Sequence, residues 1–244
     1  MNNTPPGETS TLPLSPRGMV MIIDRDATII SSRPIAYACY QASFREVVRK
    51  ADPKARELDE AEFSREYHPF TRTGVYDVYY PRLEEEALTR IGEVSWNFYI
   101  NNYHQPEFNL LIPGMDELIQ TLKAAGATIT ILTASDSDGR WMEHYRIPVD
   151  GYFSVQRLRQ EKIITGKKPE AIHHILEHYG KSPREAVTIG DNPKDHIEEV
   201  ISIGTPFGLD SPAARRDLRK AVDLYAPRVE NIYEFFNLPS PRAI

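Results

Sequence analysis

Two carboxylates, Asp24 and Asp26, stand two residues apart in the string VMIIDRDATI, directly after an unbroken apolar run over residues 19–23. At the end of an extended strand, residues two apart face the same side, so both carboxylates can converge on one reaction centre. One of them can attack an electrophile while the other moves a proton. Two anions so close repel each other, which favours retention of a proton by one unless a cation sits between them. Magnesium is the natural partner for such hard oxygen ligands. Further polar groups recur in the same kind of setting. Thr133 and Ser135 follow the apolar run ATITIL, Lys168 opens a later helical segment, and Gly190, Asp191 and Asp195 follow AVTI in the string GDNPKD. An open parallel sheet takes its ligand just beyond the carboxyl ends of its strands, and these groups fall there.

The elements that must position them alternate. Apolar runs at 19–23, 127–132 and 186–189 read as buried parallel strands. Between them, residues 113–125 place Met115, Leu118, Ile119 and Leu122 at helical spacing and stop at Gly126, and residues 168–179 do the same with Ile172, Ile175 and Leu176 before Gly180. A third helix is expected over 193–201 and a last one over 232–236. This order predicts an α/β fold, a Rossmann-like three-layer core with a parallel sheet and helices on both faces. Residues 33–108 have another texture: Tyr37, Tyr40, Phe44, Val47 and Val48, then Leu83, Ala87, Ile91, Val94 and Phe98, recur at helical spacing. A segment that long is no loop in a compact domain, so it reads as an inserted helical cap, with the core formed by 18–32 and 109–244.

The chain has 244 residues, 41% hydrophobic and 26% charged, enough for a substantial core. Lys and Arg number 29 against 35 Asp and Glu, a net charge of −6 that gives no field for drawing the protein onto nucleic acid or anionic lipid. No apolar run approaches the roughly 18 residues of a membrane span. Cys39 is the sole cysteine, which excludes an intramolecular disulfide and a multi-thiolate zinc site and fits a reducing cytoplasm. Residues 1–17 hold four prolines and no signal-peptide pattern, and are expected to form a disordered tail.

Taken in order, Asp24 and Asp26, Thr133, Lys168, then Asp191 and Asp195 resemble the motifs of the haloacid dehalogenase-like hydrolase superfamily over residues 19–236. The insertion resembles the cap of its phosphoglycolate phosphatase-like and beta-phosphoglucomutase-like members. The resemblance implies a nucleophile at Asp24, a general acid and base at Asp26, phosphate ligation by Thr133, Lys168 and the main-chain amides of Ala134 and Ser135, and magnesium held by Asp24, the Asp26 main-chain carbonyl and Asp191. Asp195 and Thr28 are supporting residues. Lys167 adjoins Lys168; the Lys168-Pro169 pair matches the family pattern and favours Lys168. The implied activity is hydrolysis of a small phosphate monoester metabolite through an aspartyl phosphate, by a monomer or homodimer. A phosphomutase or phosphotransferase using the same intermediate, and a non-catalytic ligand-binding protein, are the alternatives. Asp26 argues against dehalogenation, because a halide leaving group needs no proton.

Several residues fall outside these motifs. Arg72 and Thr73, in a polar turn with Gly74, are candidates for substrate contact from the cap. Tyr76, Tyr79, Tyr80, Trp96, Phe98, Tyr99 and Tyr103 form either a cap core or an aromatic pocket. His174 and His178 read as a solvated helix face, His196 as packing, the run Glu84 to Glu86 as a solvated helix start and Cys39 as a buried small hydrophobe. Arg25, where the family carries an apolar residue, should point away from both aspartates by strand alternation. Ala27 replaces the family's usual glycine.

Overall fold

The computed structural model describes residues 14–67, 74–134, 140–209 and 211–240. The chain enters at β1 (Val20–Asp24) and leaves the sheet for a run of helices. These are α1 (Arg33–Ser43), continued by a π-helical turn (Phe44–Val48) and a last turn (Arg49–Ala51), then α2 (Glu60–Glu66), α3 (Gly74–Tyr79) and α4 (Glu85–Asn102). It returns through α5 (Met115–Ala124) to β2 (Thr128–Thr133), α6 (Arg140–Tyr145), β3 (Gly151–Ser154), α7 (Val155–Gln160), α8 (Lys168–Tyr179) and β4 (Ala186–Gly190). The last elements are β5 (Ile201–Gly204), α9 (Pro212–Ala221), β6 (Leu224–Tyr225) and α10 (Val229–Phe235). The sheet has six strands in the order β3-β2-β1-β4-β5-β6, all parallel. The fold is Rossmann-like α/β.

Strand alternation explains the layering. Met21 and Ile23 of β1 pack with Leu118 and Ile119 of α5 and Ile232 of α10, whereas Val20 and Ile22 pack with Ile172, Ile175 and Leu176 of α8 on the other face. Because both faces are covered, β1 can be apolar throughout. Gly126 and Gly180 take up φ of 92° and 61°, the left-handed turns that end α5 and α8.

The helices between β1 and α5 have a core of their own, including Tyr40, Phe44, Phe63, Tyr76, Tyr80 and Ile91. Its tyrosines are satisfied in sequence. The Leu58 amide donates to the Tyr40 hydroxyl at 2.7 Å, Tyr40 and Tyr80 hydroxyls lie 2.7 Å apart, and Tyr80 donates to the Arg56 carbonyl at 2.8 Å. Tyr80 has one proton and spends it on Arg56, so Tyr40 is the donor between the two rings. The two crossings between these helices and the sheet run side by side, joined by an antiparallel bridge of Ile30 with Leu111 and by hydrogen bonds from Ser31 N to Leu110 O and from Ile112 N to Ile29 O, each 2.8 Å.

Two sequence expectations change. The helix expected over 193–201 is a single 3-10 turn, Pro193–Asp195, and Ile201 opens β5. Asn192 and Asp195 close a capping box around that turn, with Asp195 turned back onto the Asn192 amide at 3.1 Å. Residues 14–17, assigned to the tail, are packed: the Leu14 amide donates to the Phe235 carbonyl at 2.9 Å and its side chain lies on the core. The short strands β3, β5 and β6 and helix α7 carry too few residues for their periodicity to stand out in the sequence, and α9 carries Leu218 as its one large apolar residue.

Candidate active site at the carboxyl edge of the sheet

Asp24 continues the series Val20, Ile22 and therefore points to the face of α8, whose first residue is Lys168. The Lys168 ammonium donates to Asp24 Oδ1 and, at 2.5 Å, to Asp195 Oδ1. A cation at a helix N-terminus opposes the helix dipole, so this lysine is held there by the two carboxylates and not by helix stability. Lys167, one position earlier, is exposed at the N-cap.

Asp195 is aimed by the turn after β4. Its Oδ2 accepts from the Asn192 amide, and its side chain lies across Gly190 so closely that a Cβ there would come within 2.7 Å of Oδ2 and 2.9 Å of Cβ. Glycine at 190 is therefore a condition for the Asp195 to Lys168 contact. Asp191, at the end of β4, is equally buried, and one oxygen each of Asp24, Asp191 and Asp195 lie within 4.8 Å of one another.

Asp26 lies beyond the strand, in a turn where Ala27 adopts φ 58°. The Ala27 methyl fits because it faces Gly208, at which a Cβ would come within 2.4 Å of it. Asp26 is the open acid of the group, with a third of its side chain exposed, and its Oδ2 accepts from the Thr133 hydroxyl at 3.5 Å. Thr133 ends β2, fully buried, and Ala134 follows on the cavity wall. Thr28 is fully buried, its hydroxyl 3.5 Å from that of Thr205. Ser135, Arg72 and Thr73 lie outside the described residues.

Arg25 corrects the expectation drawn from alternation. It leaves Asp24 for the opposite face, but the turn at 26–30 brings Asp26 to the same side, and Arg25 Nη1 donates to Asp26 Oδ1 at 2.5 Å. Its Nη2 donates to Asn109 Oδ1.

The electrostatics are those of an anionic site short of positive charge. Burial, helped by Asp195 and Asp26 and only partly offset by Lys168, raises the Asp24 carboxyl to about 8, and burial with Asp24 and Asp195 raises Asp191 well above the carboxylate range. Burial works against the Lys168 charge, but Asp195 and Asp24 outweigh it and lift the ammonium above its ordinary value. Fully ionised, three carboxylates against one ammonium would leave an excess of two negative charges, which protons relieve in the metal-free protein and which, in an all-oxygen donor set, is the chemistry that fits a magnesium ion.

Above these acids is a cavity of about 650 Å³, walled on the helical side by Cys39, Tyr67, Tyr76, Trp96 and Tyr99. The aromatic residues thus divide. Tyr76, Trp96 and Tyr99 line the cavity, whereas Tyr80 is packed in the helical core. Tyr99 stacks between Trp96 and Tyr103 at centroid distances of 5.8 and 5.3 Å. Burial pushes the Cys39 thiol up to about 12 and lifts the Tyr67 hydroxyl above the usual phenol range, so both present neutral groups.

A family model described as haloacid dehalogenase-like hydrolase matches residues 21–199. The chain belongs to that family. Solved structures of similar fold come from other haloacid dehalogenase-like and phosphatase-named proteins at low sequence identity. A provisionally named phosphatase from Clostridium difficile is 16% identical with a TM-score of 0.65, covering 90% of this chain and 99% of its own. A predicted phosphoglycolate phosphatase from Haemophilus somnus is 14% identical with a TM-score of 0.60, over 88% and 96%. A provisionally named beta-phosphoglucomutase from Bacteroides vulgatus is 16% identical with a TM-score of 0.56, over 91% and 90%. No curated protein matches the chain.

In this haloacid dehalogenase-like hydrolase, the remaining sequence candidates have structural roles. His174 and His178 set their rings edge-on against Phe153 of β3. His196 Nδ1 lies 2.8 Å from the Thr188 hydroxyl, and burial lowers the imidazole to about 4. Glu84 stands at the N-cap position of α4 without a side-chain capping bond, with Glu85 and Glu86 exposed in the first turn. Asn109, Asn192 and Tyr67 carry parts of the site that the sequence did not single out. For Asn192 the signal is present, since an Asx before Pro and three residues before Asp is a capping pattern; for Asn109 and Tyr67 it is absent. Among the described residues, no helix is long and apolar enough to cross a membrane.

Proposed function

We propose that the chain is a magnesium-dependent phosphatase that hydrolyses a small phosphate monoester through an aspartyl phosphate on Asp24. The observation that carries this reading is the pairing of a buried Asp24, held by Lys168, with a second acid, Asp26, that opens on the cavity. In the first step an Asp24 oxygen attacks phosphorus, the bond from phosphorus to the ester oxygen breaks, and Asp26 gives its proton to the departing alkoxide. In the second, Asp26 takes a proton from water as that water attacks phosphorus, the bond to Asp24 breaks, and inorganic phosphate leaves with the Asp24 carboxylate and the protonated Asp26 restored. Lys168, the Thr133 hydroxyl and the amides of Ala134 and Ser135 hold the phosphoryl oxygens in this reading. A magnesium ion held by Asp24, Asp191 and the Asp26 main-chain carbonyl, with Asp195 in support, would neutralise the phosphoryl charge that otherwise repels the nucleophile.

The helices of residues 33–108 act as a cap over the core of 18–32 and 109–244. Their cavity wall holds the carbon body of the leaving group, with Arg72 and Thr73 as further contacts, and a cavity of this volume limits the substrate to a diffusible metabolite. We place the enzyme in a reducing cytoplasm.

The test is phosphate release from a panel of small phosphate monoesters, with and without magnesium, for wild type and Asp24→Asn. Release that requires both magnesium and Asp24 is expected. Absence of release from every ester would overturn the reading, and conversion of a sugar phosphate to its isomer without free phosphate would replace it by a mutase.

A further inference from the structure

Arg25 is 2% exposed, and a guanidinium is held so far from water only where its surroundings answer its charge and its donors. Here Nη1 and Nη2 are answered by groups from two parts of the chain. Nη1 donates to Asp26 Oδ1 at 2.5 Å, and Nη2 donates to Asn109 Oδ1. The Asn109 side chain is in turn held, its Nδ2 donating to the Tyr103 and Gln105 carbonyls at 2.9 Å each, and the Asn109 main-chain carbonyl accepts from the Tyr145 hydroxyl at 2.8 Å. Because a guanidinium only donates and a carbonyl only accepts, the Asn109 amide can sit in one orientation alone. The Arg25 main chain adds a further link, its carbonyl accepting the amides of Ile29 and Ile30 at 3.0 and 2.9 Å.

These contacts span both crossings between the sheet and the helices. The backbone of Arg25 fastens the outgoing crossing at 29–30, and its side chain reaches the returning one at Asn109. The same guanidinium fixes one oxygen of Asp26. We propose that Arg25 is a positioning residue that sets the Asp26 carboxylate against the paired crossings, so that the acid is aimed at the leaving-group oxygen and the helices are registered over it by one buried fork. The fork is a geometric device that an ammonium cannot reproduce, since it donates along two diverging directions from a planar group. This rests on the phosphatase reading, in which Asp26 transfers protons.

A group that works through Asp26 matters only where Asp26 matters. Alkyl phosphates need a proton on the departing oxygen, whereas p-nitrophenyl phosphate loses a phenolate that is stable without one. The test measures leaving-group release in a single turnover for both esters, with Arg25→Met, Asn109→Ala, Asp26→Asn and the double variant of Arg25→Met with Asp26→Asn. Arg25→Met is expected to slow the alkyl ester by roughly 30- to 100-fold, as a misplacement of about 1 Å does, and p-nitrophenyl phosphate by no more than about threefold on the same grounds. Asn109→Ala, which leaves the Arg25 to Asp26 pair intact but unanchored, acts in the same direction and less strongly, and carries the test if Arg25→Met does not fold. In the Asp26→Asn background Arg25→Met costs nothing more, because the two act as one unit. Equal losses on both esters, or losses that multiply with Asp26→Asn, would overturn the proposal and make Arg25 a fold residue. Wild type that turns over neither ester removes the phosphatase reading and this role with it.

Discussion

The two walls of the cavity are built on opposite principles. The sheet side is charged, with Asp24, Asp191 and Asp195 each 6% exposed around one lysine, and each is brought to the edge by a strand end or the turn after it. The helical side is neutral in its described residues, made of aromatic rings, hydroxyls and a thiol, and Tyr40 ties it to the helical core through the Tyr80 hydroxyl. Charge that is buried and incompletely paired is expensive, and is kept where a reaction uses it. Neutral aromatic surface is inexpensive to bury and adapts to the shape of what binds. On the phosphatase reading, the difference makes the chemistry and the choice of substrate separable: alterations on one wall should change rate, and on the other binding or stability.

The largest effect is expected from Lys168→Met. It removes the cation that Asp24 and Asp195 share, and kcat for phosphate release should fall about 10³-fold with folding retained by circular dichroism. A loss confined to KM would erase the distinction between the walls.

Gly190→Ala tests the charged wall without touching a charge. The added methyl meets Asp195, which must move and release Lys168, so kcat should drop by roughly 10- to 100-fold. Unchanged kcat would mean that the Asp195 contact is dispensable.

Metal dependence of stability sharpens the same point. Asp24 and Asp191 hold protons in the folded, metal-free protein that the unfolded chain releases above about pH 4. Folded pKa values raised in this way stabilise at low pH, and that contribution is lost as pH rises from there through about 8. On the magnesium-dependent reading, a divalent cation would take over from the protons. The magnesium-induced rise in Tm should therefore grow from pH 5 to pH 8 and shrink in Asp24→Asn; a rise independent of pH would contradict the charge excess.

On the neutral wall, Trp96→Ala should raise KM about tenfold for esters with bulky leaving groups while leaving kcat within about threefold, as loss of uniform binding does. Smallest in activity is Tyr40→Phe. It leaves the Leu58 amide without its acceptor and should cost about 1–3 kcal/mol in urea unfolding with phosphate release unchanged.

Much of the fold and of the site is legible in the sequence. Three apolar runs announce the central strands because a strand covered on both faces must be apolar at every position, and two glycines mark helix ends because only they take φ above zero at no steric cost. The order of Asp24, Thr133, Lys168 and Asp191 was legible for the same reason: a parallel sheet presents its strand ends at one edge, so a linear pattern becomes a cluster. The turn at Pro193–Asp195 was misread as a helix because Ile197, Val200 and Ile201 satisfy a helical spacing equally well.

What the sequence determined by itself is the set of groups that local rules act on: period, strand end, helix start and cap. Tertiary structure alone decided the contacts between positions far apart along the chain. Arg25 meets Asn109 across 84 residues, and alternation cannot foresee this because the chain turns after Asp24. Gly190 must be glycine because Asp195 folds back over it, and Trp96 and Tyr99 line the cavity while Tyr80 is packed in the helical core. Those outcomes depend on packing distances of a few ångströms, which no periodicity in the chain encodes.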